Sequence, residues 1–160
     1  MMKTIKISKR LAKRLRSFNE DDESILHLFG KNEKDIITNI FELPTNNEGC
    51  VFEQGIDGSE MSKTLLKVYK KNLIPGGFFY INTYHTFNED IDVNMGDFAA
   101  GVVSKKTYME EIVNRIFYRL ESFSYNFLKV PVIVVCENNL YAKYNPNESC
   151  NWRNLKIVEV

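Results

Sequence analysis

The feature that most constrains this chain is the shortness of its apolar runs. The longest, such as Val130 to Cys136, fall far below the roughly 20 residues that cross a bilayer. No segment is therefore expected to span a membrane. The run is marked by Pro131 at its start and by the turn Glu137-Asn138-Asn139 at its end, so Val132–Cys136 and Leu140–Tyr144 are predicted to form a β-hairpin. Residues Leu155–Val160 offer a last strand.

The same reading runs back along the chain. Lys3–Ile7 alternates polar and apolar residues and predicts a short strand. Ser8 is placed to cap a helix whose Leu11, Leu15 and Phe18 recur on one face. After the acidic cluster Glu20–Glu23 comes the apolar run Ser24–Phe29, ended by Gly30 and the polar turn Lys31–Lys34, then a strand over Asp35–Leu43, together a hairpin or meander. Cys50–Gln54 is a further strand candidate, and Ser59–Lys71 has the spacing of an amphipathic helix. Pro75-Gly76-Gly77 breaks that pattern before the β-rich run Phe78–Tyr84, and a long helix is expected over Thr107–Phe127. Strands and helices in this order predict an α+β fold of α/β/α layers, with one mixed, partly antiparallel sheet flanked by helices and a single domain over residues 1–160.

Composition narrows the function. Of 160 residues 44% are hydrophobic, and 21 basic residues balance 21 acidic ones. A net charge of zero disfavours a domain built to neutralise phosphate backbones, so nucleic acid is not an expected partner. Met1–Ser17 holds seven Lys or Arg and no acid, but it has no continuous apolar stretch or small-residue cleavage site, which points to the cytoplasm. Cys50, Cys136 and Cys150 are odd in number and widely spaced, and they read as reduced thiols.

The chemistry-bearing segment begins at His85, one of two histidines. It follows the β-rich run Phe78–Tyr84, and the next residues supply Glu89, Asp90, Asp92 and Asp97. A strand end with its following loop holds ligands firmly while leaving room for a substrate. An EF-hand reading of Asp90–Gly96 fails, because the glycine does not follow Asn94 directly and Gly101 stands where a bidentate Glu is needed. His27, inside an apolar run, reads as a core or sheet-face histidine.

These residues resemble the MPN/JAMM domain of zinc metalloproteases and deubiquitinases. The family's pattern Glu-x-x-Gly-x-Leu-x-Gly has a counterpart in Glu23-Ser24-Ile25-Leu26-His27-Leu28-Phe29-Gly30, with Leu26 replacing the first glycine. Its His-x-His-x7-Ser-x-x-Asp has a counterpart running from Tyr84-His85-Thr86-Phe87 to Asn94-Met95-Gly96-Asp97. The resemblance implies an MPN/JAMM (cytidine deaminase-like) fold, with His85 and Asp97 as zinc ligands, Glu23 as general base and Asn94 at the position of the oxyanion-stabilising serine. The alternative register, with His85 as the second histidine, puts Thr83 at the first.

The departures are unequal in chemical weight. An Asn carboxamide donates hydrogen bonds as a serine hydroxyl does, so Asn94 suits an oxyanion. Phe87 takes the place of the second histidine and donates nothing to a metal. A three-ligand site would need Glu89, Asp90 or Asp92 as a substitute. The resemblance therefore implies a non-catalytic scaffold or protein-binding module with a degenerate zinc motif. Its alternative is a variant zinc metalloprotease or isopeptidase acting on a peptide or ubiquitin-like conjugate, in which Glu23 activates a zinc-bound water. Zinc is the one cofactor implied, and neither the oligomeric state nor the partner is named by the sequence.

Overall fold

The computed structural model of this chain describes residues 3–18, 26–43, 58–81, 105–123, 128–147 and 151–160. Strand β1 (Thr4–Ile7) alternates exposed and buried positions, which turns Ile5 and Ile7 to one side. Ser8 ends it in an extended conformation and accepts the Leu11 N–H on its side chain at 3.2 Å, capping helix α1 (Lys9–Arg16). Lys13, Arg14 and Arg16 in the last turn suit the negative end of the helix dipole, and Leu11, Ala12 and Leu15 form its buried face.

Strands β2 (Leu26–Lys31) and β3 (Ile36–Glu42) pair antiparallel through a polar turn. There the Asn32 carboxamide oxygen accepts the N–H groups of Lys34 and Ile36 at 2.9 and 3.1 Å, and Asp35 adopts a φ of 63°. Helix α2 (Gly58–Lys70) seats Thr64 and Val68 against the sheet, and strand β4 (Ile74–Ile81) follows. Helix α3 (Lys105–Phe123) buries Met109, Val113, Ile116, Phe117 and Leu120 along one side. Strands β5 (Pro131–Cys136) and β6 (Asn139–Tyr144) form the expected hairpin, closed by Glu137 and Asn138 at φ values of 47° and 64°, the left-handed pair that a tight two-residue turn needs. Strand β7 (Arg153–Glu159) ends the order.

The layered expectation is wrong. The strands close into a seven-stranded mixed barrel in the order β1-β3-β2-β4-β5-β6-β7, and β7 returns to β1. The described residues hold three helices, and they do not form two layers around an open MPN/JAMM-type sheet. The physical reason is the pairing of β1, which lies parallel to β3 on one side (Lys6↔Ile36) and parallel to β7 on the other (Thr4↔Lys156 to Ile7↔Glu159), so the two edges of an open sheet are joined through it. Closure pairs the two edge strands that an open sheet would leave for aggregation, although β6 meets β7 only over Ala142–Tyr144.

Two cores result. The barrel interior is filled by Ile5, Ile7, Phe29, Ile37, Phe79, Ile81, Ile133, Val135, Ala142 and Leu155, and α1 closes it with Leu11, Ala12 and Leu15. Alternate residues of the same strands, among them Leu28, Phe78, Tyr80, Val132 and Val134, face outward and meet Val68 of α2 and Val113, Ile116 and Phe117 of α3. Strands β2, β4 and β5 are thus buried on both faces, which explains why their sequences are apolar without alternation. No helix among the described residues is long and apolar enough to cross a membrane.

Candidate functional site

Glu23, His85, Asn94 and Asp97 lie outside the described residues, as do Phe87, Glu89, Asp90, Asp92, Cys50, Cys150 and the strand expected over Cys50–Gln54. What is described is where the chain enters and leaves. Leu26 of β2 pairs with Tyr80 of β4 in antiparallel register, so the chain enters β2 and leaves β4 at one rim of the barrel. Leu26, at the place of the family's first glycine, is fully buried in the outer core. His27 is buried with its ring centroid 5.5 Å from that of Phe18 and 5.8 Å from that of Phe79, as a core histidine would be. As a donor set, His85 and Asp97 supply two groups where a catalytic zinc takes three protein ligands, and Phe87 supplies none. Among the described residues no group of three or more His, Cys, Asp or Glu is placed to hold a metal ion.

The described residues form a different concavity, about 480 Å³ in volume, between α3, β6 and β7. It lies where β6 and β7 part. The β6–β7 ladder runs only from Tyr144↔Arg153 to Ala142↔Leu155, and from Lys156 onward β7 pairs with β1 instead. Leu140, Ala142, Leu155 and Ile157 give the cleft apolar walls, while Glu110 and Asn114 of α3 and Tyr141, Lys143 and Asn154 give it polar ones. Cavities of a few hundred Å³ with apolar walls and few polar groups are the usual form of a ligand site.

Lys143 is its central charge. Its Nζ donates to the Asn114 Oδ1 at 2.6 Å and stands 5.3 Å from the centroid of the Phe117 ring, whose face is electron-rich. Phe117 is itself held by Trp152, ring centroids 5.1 Å apart. Burial pushes the Lys143 ammonium below the usual lysine range, and Glu110 opposes this only in part. Burial raises the Tyr141 phenol, helped by the charges of Cys136, Glu137 and Glu110. Among the described residues Lys143 has an amide and an aromatic face as partners but no ion pair. Such an arrangement can hold an anionic oxygen.

Sequence reasoning missed Lys143 because a lysine in the alternating run Leu140-Tyr141-Ala142-Lys143-Tyr144 reads as a solvent-facing residue. The signal available was its parity with Tyr141, which puts both on one face, but only the tertiary fold brings α3 over that face. No family model matches the chain, and no curated protein does.

Proposed function

We propose that the chain is a non-catalytic scaffold or protein-binding module working in the cytoplasm, similar in motif to MPN/JAMM domains but without their metal chemistry. The observation that carries this reading is Phe87, which stands where the resemblance requires a second zinc ligand. A zinc centre with too few ligands loses both its affinity and the fixed open position that activates water. Glu23, the general base of the motif, then has no metal-bound water to act on.

The experiment is elemental analysis of protein purified without a chelator or a histidine tag, beside an Asp97→Ala variant. Zinc well below stoichiometric, unchanged by the substitution, is the expected result. About one zinc per chain, lost in Asp97→Ala, would overturn the proposal and assign a catalytic-type site. In that event Glu23→Gln would abolish hydrolysis of a peptide or ubiquitin-like conjugate while leaving the fold intact.

A further inference from the structure

We infer that the cleft between α3, β6 and β7 takes an extended acidic peptide segment, which adds to the open edge of β6 and sets a carboxylate against Lys143. The inference rests on the binding-module reading and names the place and the partner class.

Three observations converge on it. The first is backbone geometry. On its inner flank β6 is paired with β5 along its whole length, from Pro131↔Tyr144 to Cys136↔Asn139, but its ladder to β7 stops at Ala142↔Leu155. Among the described residues, Asn139–Tyr141 therefore have no strand paired on the flank away from β5, Leu140 and Tyr141 line the cleft, and an open strand edge is the template on which extended peptides add by main-chain hydrogen bonds. The second is the shape of the wall. Alternate β6 residues point opposite ways, so a strand laid beside them meets Leu140 and Ala142 on one side and Tyr141 and Lys143 on the other. A ligand with alternating apolar and polar side chains fits that surface.

The third observation is charge. Lys143 is half-buried, its ammonium bonded to a neutral amide, and exposed Lys156 follows on β7 just past the end of the ladder. Glu110 is the acid at the rim; it is exposed, and its field does not offset the burial of Lys143. A half-buried ammonium bonded to a neutral amide has room for a stronger partner, and a ligand carboxylate would supply it with a charge-assisted hydrogen bond.

The test uses the full chain and a fluorescent peptide of alternating Glu and Val, blocked at both ends, with Gln/Val and Lys/Val peptides as controls. By anisotropy at low salt the Glu/Val peptide is expected to bind, and Lys143→Met to weaken it by about tenfold or more. Lys34→Met, on the remote turn between β2 and β3, should leave binding unchanged. Because methionine fills the lysine's volume without a charge to bury, the thermal midpoint of Lys143→Met should not fall; if that variant fails to fold, Lys143→Gln replaces it with the same expectation for binding. Backbone amide signals of Asn139–Tyr141 should shift on titration.

Equal affinity in Lys143→Met or Lys143→Gln would overturn the inference, as would equal binding of the Gln/Val or Lys/Val peptide. Full displacement by free glutarate would assign a small-acid site instead, and absence of binding at about 1 mM peptide would remove the site altogether. Zinc content of the same preparation separates this inference from the reading it rests on. A zinc-free protein that binds no peptide overturns the cleft alone; a zinc-loaded one overturns the binding module.

Discussion

At Gly77 the backbone takes a φ of +116°, and a Cβ added there would run into the Pro131 carbonyl oxygen of the neighbouring β5. Both facts require glycine, one through conformation and one through space. Gly77→Ala is therefore expected to cost about 2–4 kcal/mol, since the backbone strain and the shift of β5 add. Gly58, at the start of α2, has nothing among the described residues within 4 Å of such a Cβ, so Gly58→Ala should stay within about 0.5 kcal/mol of the parent. Urea unfolding of the two variants checks this, and equal losses would show that strand contact at Gly77 is not the constraint. The glycine pair was visible in the sequence as a breaker, yet Pro75-Gly76-Gly77 lies within β4, because small residues let β2 and β5 approach.

At the scale of the element, α1 holds the barrel's end by three kinds of contact. The Ser8 cap starts it, Leu11 and Leu15 fill the interior, and Arg16 reaches Glu159 of β7 at 2.6 Å. Ser8→Ala should cost about 1 kcal/mol and Leu15→Ala about 2–5 kcal/mol, because the cap leaves a helix donor unsatisfied while the leucine leaves a cavity. The ion pair is exposed and contributes less. Its hydrogen bond from Arg16 holds the Glu159 carboxyl below its ordinary value of 4.5, so its contribution is present above that value and is lost as pH falls through the lower folded one. Arg16→Gln should lower the thermal midpoint slightly at neutral pH, with the difference vanishing in acid once Glu159 is protonated. A difference that persists in acid would assign Arg16 a packing role instead. This helix was legible in the sequence because capping and a 3.6-residue period are local signals. So were the β2–β3 turn and the β5–β6 hairpin. The closure was not, since Lys3–Ile7 reads as a strand whatever it pairs with, and its parallel partners β3 and β7 come from distant parts of the chain. The candidate cleft was hidden for a related reason: Lys143 and Asn114 are 29 positions apart and meet only after the barrel and α3 are assembled.

Across the whole molecule, burial is uneven around the barrel, and this separates a strong body from weaker seams. Strands β4 and β5 carry fully buried residues on both faces, with Phe79, Ile133 and Ile81 in the inner core and Tyr80, Val132 and Val134 under the helices. Next to β5, strand β6 is joined to β7 by the short ladder Ala142–Tyr144 alone, and the cleft lies beside that seam. A local opening costs the free energy of the packing and hydrogen bonds it breaks, so the seam is expected to part well before the β4–β5 body unfolds. In native-state hydrogen exchange the amides of Phe79, Tyr80, Ile133 and Val134 should exchange only through global unfolding, while those near Leu155 and Ala142 exchange through a smaller opening that responds weakly to denaturant. Equal protection and equal denaturant dependence in β7 and β4 would show that the barrel is as strong at its closure as in its body. A seam that opens before the β4–β5 body also admits a strand at lower cost than that body does, since the inserted segment replaces few existing hydrogen bonds. Binding of the acidic peptide should accordingly raise protection at Ala142 and Leu155 more than at Ile133, because the partner strand is held at the β6–β7 seam.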